Sequence, residues 1–157
     1  MLTGMRSNPR GDKTPDDAFG AEWVRVLAHR QREGQHVMDK VVERFRATGV
    51  RPDDVESHLR DAGDRLYAAA TSDDDRCADE FGGPRAVALL AAEISALMSH
   101  LVARAASIRS VCVEAMLEEF SAVTVAGAIG VARQKVYELA KPEADKDYLD
   151  HSPWRIE

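Results

Sequence analysis

The sequence predicts an all-α protein. Alanine, arginine, aspartate and valine dominate its 157 residues, and glycine and proline are sparse outside a few short segments. Apolar residues recur at three- and four-residue steps along most of the chain, which is the spacing of amphipathic helices. No segment has a β-strand pattern of comparable strength. We therefore expect an N-terminal helical hairpin and a long central helix, followed by a C-terminal group of three helices.

The N-terminal hairpin is predicted from two helical patterns. Residues 1–15 are rich in Gly, Pro, Asn, Ser and Asp without periodicity, so we expect them to form a flexible arm. The first helical pattern begins at Asp16 and ends before Gly49, a residue type that often follows a helix C-terminus. Pro52 begins the second helix, and the two acids after it lie in the first turn, where the helix dipole favours them.

The central helix is predicted beyond Pro84, after an acidic loop near residues 72–84. It extends to about Phe120, with at most one break. Its apolar stripe consists of Leu90, Ile94, Leu97, Leu101, Ala105, Ile108 and Cys112. So broad a stripe needs covering by the N-terminal helices and by a second subunit. We therefore expect a homodimer and assign residues 16–107 to a dimerisation or interaction region.

Charge and cysteine usage limit the possible partners and the compartment. A net charge of -6 argues against a protein that coats nucleic acid nonspecifically. Residues 53–80 are strongly acidic, which favours a solvated face. They are also a candidate surface for a basic protein partner or a cation. Cys77 and Cys112 form no CxxC pair, and the N-terminus lacks the apolar core of a secretion signal, so we expect a cytoplasmic protein with reduced thiols.

Residues 86–103 are apolar and about long enough to cross a membrane. They include Glu93 and His100, and a charge inside a bilayer is costly, with no partner for it evident in the sequence. A buried central helix is therefore the better interpretation, and we expect no membrane association.

No enzyme motif occurs in the sequence. It contains no phosphate-binding glycine loop, nucleophile elbow or metalloprotease motif, so we predict no catalytic residue and no cofactor. His29, Glu33 and His36 are spaced to lie near one helix face, as metal ligands in a helical bundle do. Their neighbours are arginines and glutamines, which favours a solvated face, so we predict no metal site.

The segment "TVAGAIGVARQKVYELAK", residues 124–141, contains a glycine inside an apolar helical pattern. A glycine within a helix costs about 1 kcal/mol relative to alanine, so Gly130 indicates a break. Ser121 is placed to cap a short helix that begins at Ala122. A second helix then extends from Ala132 to Lys141. The predicted inward-facing residues are Val125, Ala126, Ile129, Val131, Val136, Leu139 and Ala140.

This pattern resembles the helix-turn-helix unit of bacterial DNA-binding proteins, whose second helix enters the major groove. Small Ala126 stands where the two helices cross, Gly130 follows at the turn, and apolar Val136 comes six residues later. The stretch "IGVARQKVYEL" is similar to the common "LGVS-R-x-x-V-Y" form of the motif, and "SVCVEAMLEEF" before it would be the supporting helix. We assign residues 108–141 to this module and residues 142–157 to an acidic tail.

The resemblance implies a sequence-specific protein that binds double-stranded DNA, and a dimeric bacterial transcriptional regulator. Arg133 and Gln134 would contact base edges, because arginine pairs with guanine and glutamine with adenine. Ala132 stands at the start of the second helix, where the family often has Ser or Thr. The expected phosphate contacts are Lys135, Tyr137 and Lys141, with Ser121 and Thr124 on the preceding helix.

Two alternatives remain at this stage. The helices could form a protein-protein interaction or scaffold protein without DNA binding, in which case Arg133 or Tyr137 would be buried. The apolar central helix could instead line a pocket for a metal or small molecule.

Overall fold

The structure, a computed structural model, describes residues 15–140 and 148–149. Lys141 lies outside the described residues, as do most of the expected arm and most of the acidic tail. Every regular element within residues 15–140 is helical, and no strand occurs there. The predicted all-α class is confirmed.

Four α-helices replace the two that the sequence predicted for the N-terminal hairpin. They are α1 (Pro15–Val26), α2 (Gln35–Ala47), α3 (Pro52–Arg60) and α4 (Asp64–Ala70), with a 3-10 helix at Ala28–Glu33. The first predicted helix is divided because Gly34, at φ 90° and ψ 159°, leaves the helical range. The second is divided where Ala62 and Gly63 both have positive φ. Pro52 does begin a helix, as predicted.

The break before α4 is fixed by packing as well as by local bonding. The carboxylate of Asp61 accepts the Gly63 N–H at 2.9 Å, which stabilises the turn. A Cβ atom on Gly63 would lie 2.8 Å from Cδ1 of Ile94, so a larger residue does not fit without movement. Glycine is therefore favoured at position 63 mainly by its left-handed φ of 85°, and the contact with the end of the Ile94 side chain adds a smaller steric preference.

The chain divides into two compact units between Ile94 and Ser95. The N-terminal unit is built around one apolar cluster, in which Trp23 stacks on Phe45 with ring centroids 5.7 Å apart. Leu27 and Val55 are fully buried in this cluster. Leu90, near the start of the next helix, adds another buried side chain to it.

That helix, α5, runs without a break over Pro84–Glu119, and a 3-10 helix at Asp79–Phe81 precedes it. Its first turns belong to the N-terminal unit and the rest to the C-terminal unit. By length and composition α5 could cross a membrane, and 17% of its most apolar segment is buried. Within this single chain the apolar stripe is covered at Leu90 but not at Leu101 and Ile108, which are each 41% exposed. The expected cover by a second subunit stays a prediction.

Two short helices complete the described chain: α6 (Ala122–Ile129) and α7 (Arg133–Ala140). Both belong to the C-terminal unit, which begins at Ser95. The predicted supporting helix is not a separate element, because the stretch "SVCVEAMLEEF" forms the end of α5 up to Glu119.

Candidate nucleic-acid interface

The start of α6 is held by a side-chain cap. Ser121 is extended, with φ -66° and ψ 152°, and its hydroxyl accepts the backbone N–H of Thr124 at 3.2 Å. The hydroxyls of Ser121 and Thr124 also lie 2.9 Å apart, within hydrogen-bond distance. Such a cap is worth about 1 kcal/mol. Both side chains are exposed, so these two residues, which the sequence predicts to contact phosphate, lie next to each other at the N-terminus of α6.

The turn between α6 and α7 depends on Gly130. This residue has φ 70° and ψ 35°, a left-handed conformation that only glycine adopts without strain. The carbonyl of Ala126 accepts the N–H groups of both Gly130 and Val131, which closes the end of α6. No atom lies within 4 Å of the position that a Cβ on Gly130 would take, so the requirement is conformational and not steric.

The α6–α7 pair packs on the end of α5 through a small apolar cluster. Its buried members are Val113, Ala122, Val125, Ala126 and Val136, and its half-buried members are Met116, Leu117, Val131, Leu139 and Ala140. Val125 and Val136 have no exposed surface. The inward-facing set was thus largely predicted. The exception is Ile129, which is 36% exposed because it lies at the last turn of α6.

The outer surface of α7 carries the predicted DNA-contacting side chains. Arg133, Gln134, Lys135 and Tyr137 are all exposed, while Val136 between them is buried. Arg133 and Tyr137 are four residues apart, so they lie one above the other on a single face.

The start of α7 has no polar side-chain cap. Ala132 is exposed, and its carbonyl accepts the N–H groups of Lys135 and Val136. Its methyl side chain accepts no hydrogen bond, so amide N–H groups in the first turn of α7 are able to donate to a phosphate oxygen.

The charge on this surface is small and partly paired. Nζ of Lys135 donates to the Glu138 carboxylate at 2.8 Å, with both side chains about half exposed. Across residues 121–140 the charged side chains are the cations Arg133 and Lys135 and the anion Glu138. A phosphate contact by Lys135 therefore competes with an existing ion pair, and Arg133 is the cation in this stretch outside that pair.

Sequence reasoning missed a buried ionic cluster in the N-terminal unit. The Glu93 carboxylate lies 2.6 Å from Nε2 of His29 and accepts a hydrogen bond from Nε of Arg30 at 2.7 Å. The interpretation of His29 and Arg30 as part of a solvated face is wrong, since their side chains are only 5% and 14% exposed. Burial alone would raise the pKa of Glu93, but the hydrogen bonds from His29 and Arg30 leave that pKa lowered. Within the described ranges, no group of three His, Cys, Asp or Glu side chains is placed to hold a metal.

A polar cavity of about 260 Å³ also lies in the N-terminal unit. Buried His58 lines it and packs edge-on against Phe81, with centroids 5.3 Å apart. Arg65 and Glu80 border the same cavity with opposite charges. The cavity sits between segments that are distant in sequence, so no local motif could have predicted it.

No family model, curated protein or solved structure matches the chain. Its function is therefore inferred from its own residues.

Proposed function

We propose that this protein binds double-stranded DNA as a dimer, with α7 in the major groove, and regulates bacterial transcription. The supporting observation is the division of α7 into two faces. Val136 anchors the helix in the apolar cluster, while Arg133, Gln134, Lys135 and Tyr137 remain exposed on its outer side. A recognition helix needs this combination of a fixed inner face and an open polar face.

The exposed groups have the chemistry that DNA recognition requires. The Arg133 guanidinium can donate two parallel hydrogen bonds to O6 and N7 of guanine, and the Gln134 amide can pair with adenine. Lys135 and Tyr137 are suited to phosphate contacts, as are the adjacent hydroxyls of Ser121 and Thr124. Phosphate contacts set the orientation on the duplex, and base contacts select the sequence.

The scaffold alternative receives less support from the same surface. A scaffold role predicts that Arg133 or Tyr137 is buried, and both are exposed among the described residues. The small net charge of the α6–α7 pair favours two copies acting together, because affinity for DNA depends strongly on the number of neutralised phosphates.

The direct test is a fluorescence titration of labelled random and genomic duplexes at low and moderate salt. We expect binding that weakens as salt rises. Arg133→Ala should weaken the free energy of binding to the preferred sequence by about 1–3 kcal/mol and relax the preference at one base pair. Arg44→Ala, which removes an exposed arginine from α2, is the matched control and should bind as the parent does. A folded Arg133→Ala protein with unchanged binding would remove α7 from the groove.

The Lys135–Glu138 ion pair allows a second, opposed pair of variants. Lys135→Ala should weaken binding to all sequences alike and reduce the salt slope by about one. Glu138→Gln should strengthen binding, because it frees Lys135 for phosphate and removes a nearby negative charge. Lys40→Ala on α2 is the charge-matched control. If both Lys135→Ala and Glu138→Gln leave affinity unchanged, this side of α7 does not face the DNA backbone.

A further inference from the structure

Part of α5 exposes its apolar side chains and covers its small polar ones. Leu101 and Ile108 are each 41% exposed and Val102 is 70% exposed, whereas Ser107 and Ser110 are only 8% and 6% exposed. A helix that packed only within its own chain would show the reverse. The open apolar face therefore calls for a partner that is not part of the described chain.

The open face has the spacing of a two-stranded coiled coil. Its residues are Met98, Leu101, Ala105, Ile108, Cys112 and Ala115, which alternate steps of three and four. The first four are exposed and the last two are half-buried. These are the a and d positions of consecutive heptads. We call this set the heptad stripe.

We propose that the heptad stripe pairs with the heptad stripe of a second copy in the antiparallel direction, with Leu101 of each copy opposite Cys112 of the other. This inference rests on the dimer of the proposed function, and its first two arguments do not depend on DNA binding. Three properties of the stripe select this arrangement: the sizes of its side chains, the charges beside it and the position of the α6–α7 pair.

Side-chain size favours the antiparallel alignment. With Leu101 opposite Cys112, Met98 faces Ala115 and Ala105 faces Ile108, so each layer combines a larger side chain with a smaller one. A parallel pair in register would instead place Leu101 on Leu101 and Ala105 on Ala105. Crowded layers would then alternate with poorly filled ones, which packs less well.

The charges beside the stripe also oppose parallel pairing. Arg104 and Arg109 are exposed at g and e positions of successive heptads, which are neighbours across a parallel coiled coil. A parallel dimer would therefore bring these arginines together on both sides. The antiparallel alignment places Arg104 beside Val111 and Arg109 beside Val102, where the aliphatic parts of the arginines can cover apolar surface.

The position of the α6–α7 pair gives the third argument. This pair packs on Val113, Met116 and Leu117 of α5. The two-fold axis of the antiparallel dimer lies between residues 106 and 107, so the two copies of Met116 are about 30 Å apart at 1.5 Å per residue. That distance is close to the 34–36 Å between successive half-sites on DNA. A parallel pair would separate them by only about 8–10 Å.

Disulfide trapping without DNA tests the alignment. Cys77→Ser leaves Cys112 as the single thiol, and the two copies of Cys112 would be about 16 Å apart along the pair, too far for a disulfide. Adding Leu101→Cys to this background should give covalent dimers under mild oxidation, because position 101 then faces Cys112 of the second copy. Ser99→Cys in the same background is the control, since Ser99 is exposed but lies outside the stripe. Burial raises the pKa of the Cys112 thiol, so all three proteins are oxidised at one pH.

Each outcome decides the proposal. The proposal is supported if, of the three proteins, only the one with Leu101→Cys cross-links efficiently. Sedimentation should also show a dimer at tens of micromolar. Efficient cross-linking of the Cys77→Ser protein, whose single thiol is Cys112, would show parallel pairing and overturn the proposal. Equal yields for the Ser99→Cys and Leu101→Cys proteins would overturn it too, because the cross-link would then not depend on the stripe. A monomer in sedimentation would overturn the proposal, and flotation of that monomer with phosphatidylcholine vesicles would assign the stripe to a membrane surface. A dimer with the expected cross-links that binds no DNA would leave this inference standing and remove the proposed function.

Discussion

At the scale of single residues, Glu93 is the side chain whose environment the sequence predicts least well. It lies in an apolar segment where no partner was evident, and the structure supplies His29 and Arg30. Both partners come from the 3-10 helix Ala28–Glu33, more than 60 positions earlier in the chain. A buried carboxylate must be paired, because the cost of removing it from water is otherwise too high.

Removing Glu93 should therefore destabilise the N-terminal unit strongly. We expect Glu93→Ala to lower the free energy of unfolding by about 3–5 kcal/mol, since it leaves Arg30 and His29 without their buried anion. Glu33→Ala is the matched control, because Glu33 binds the same Arg30 from the exposed side. It should cost less than about 1 kcal/mol. Urea denaturation followed by circular dichroism gives both values, and similar losses would contradict the assignment.

The same carboxylate should make stability depend on pH. The pKa of Glu93 is lowered in the folded protein: burial opposes this, and the bonds from His29 and Arg30 outweigh the burial. The resulting stabilisation is present above the ordinary glutamate pKa and is lost as pH falls through the lowered folded value. Glu93→Gln does not titrate, so its deficit relative to the parent should shrink on acidification. Denaturation midpoints from neutral pH downwards measure this, and a constant deficit would refute it.

At the scale of elements, three signals that act over a few residues were predicted correctly, whereas the break at Gly34 was not. Pro52 begins a helix, Ser121 caps one and Gly130 ends one, because each works through its own dihedral angles or a neighbouring amide. The break at Ala62 and Gly63 was missed although it is also local: both residues have positive φ, and the Asp61 carboxylate accepts the Gly63 N–H. The exposure of the heptad stripe could not be predicted either, since periodicity identifies a helix face but not what covers it.

The turn between α6 and α7 provides a paired test of this local reasoning. Gly130→Ala should destabilise the C-terminal unit by about 1–2 kcal/mol, because alanine is strained at φ 70°. Gly127→Ala is the matched control, since Gly127 lies within α6 with no atom near its missing Cβ. It should stabilise the protein by about 0.5–1 kcal/mol. Thermal unfolding of the two variants compares them directly, and equal shifts in the unfolding temperature would mean that alanine is not strained at position 130.

At the scale of the whole molecule, charge and assembly have to be considered together. The chain carries a net charge of -6, so the molecule as a whole repels DNA at long range. In the proposed function, attraction to DNA is confined to the α6–α7 pair, whose outer side carries Arg133 and Lys135. Confinement of this kind orients a protein on DNA, and two copies held a fixed distance apart would convert two weak contacts into one stronger contact.

If both proposals hold, DNA selected by the protein from a pool of random duplexes should contain an inverted repeat. The repeat follows from the two-fold symmetry of the dimer, and its half-sites should be centred about 10 base pairs apart because that spacing presents the same groove to both copies of α7. Leu101→Asp places a charge in the heptad stripe and should yield single half-sites with weaker, less salt-sensitive binding. Tyr67→Asp, at a 73% exposed position on α4, is the control and should select the same repeat as the parent. Recovery of a single half-site by the unaltered protein would mean that the dimer does not read DNA as a symmetric pair.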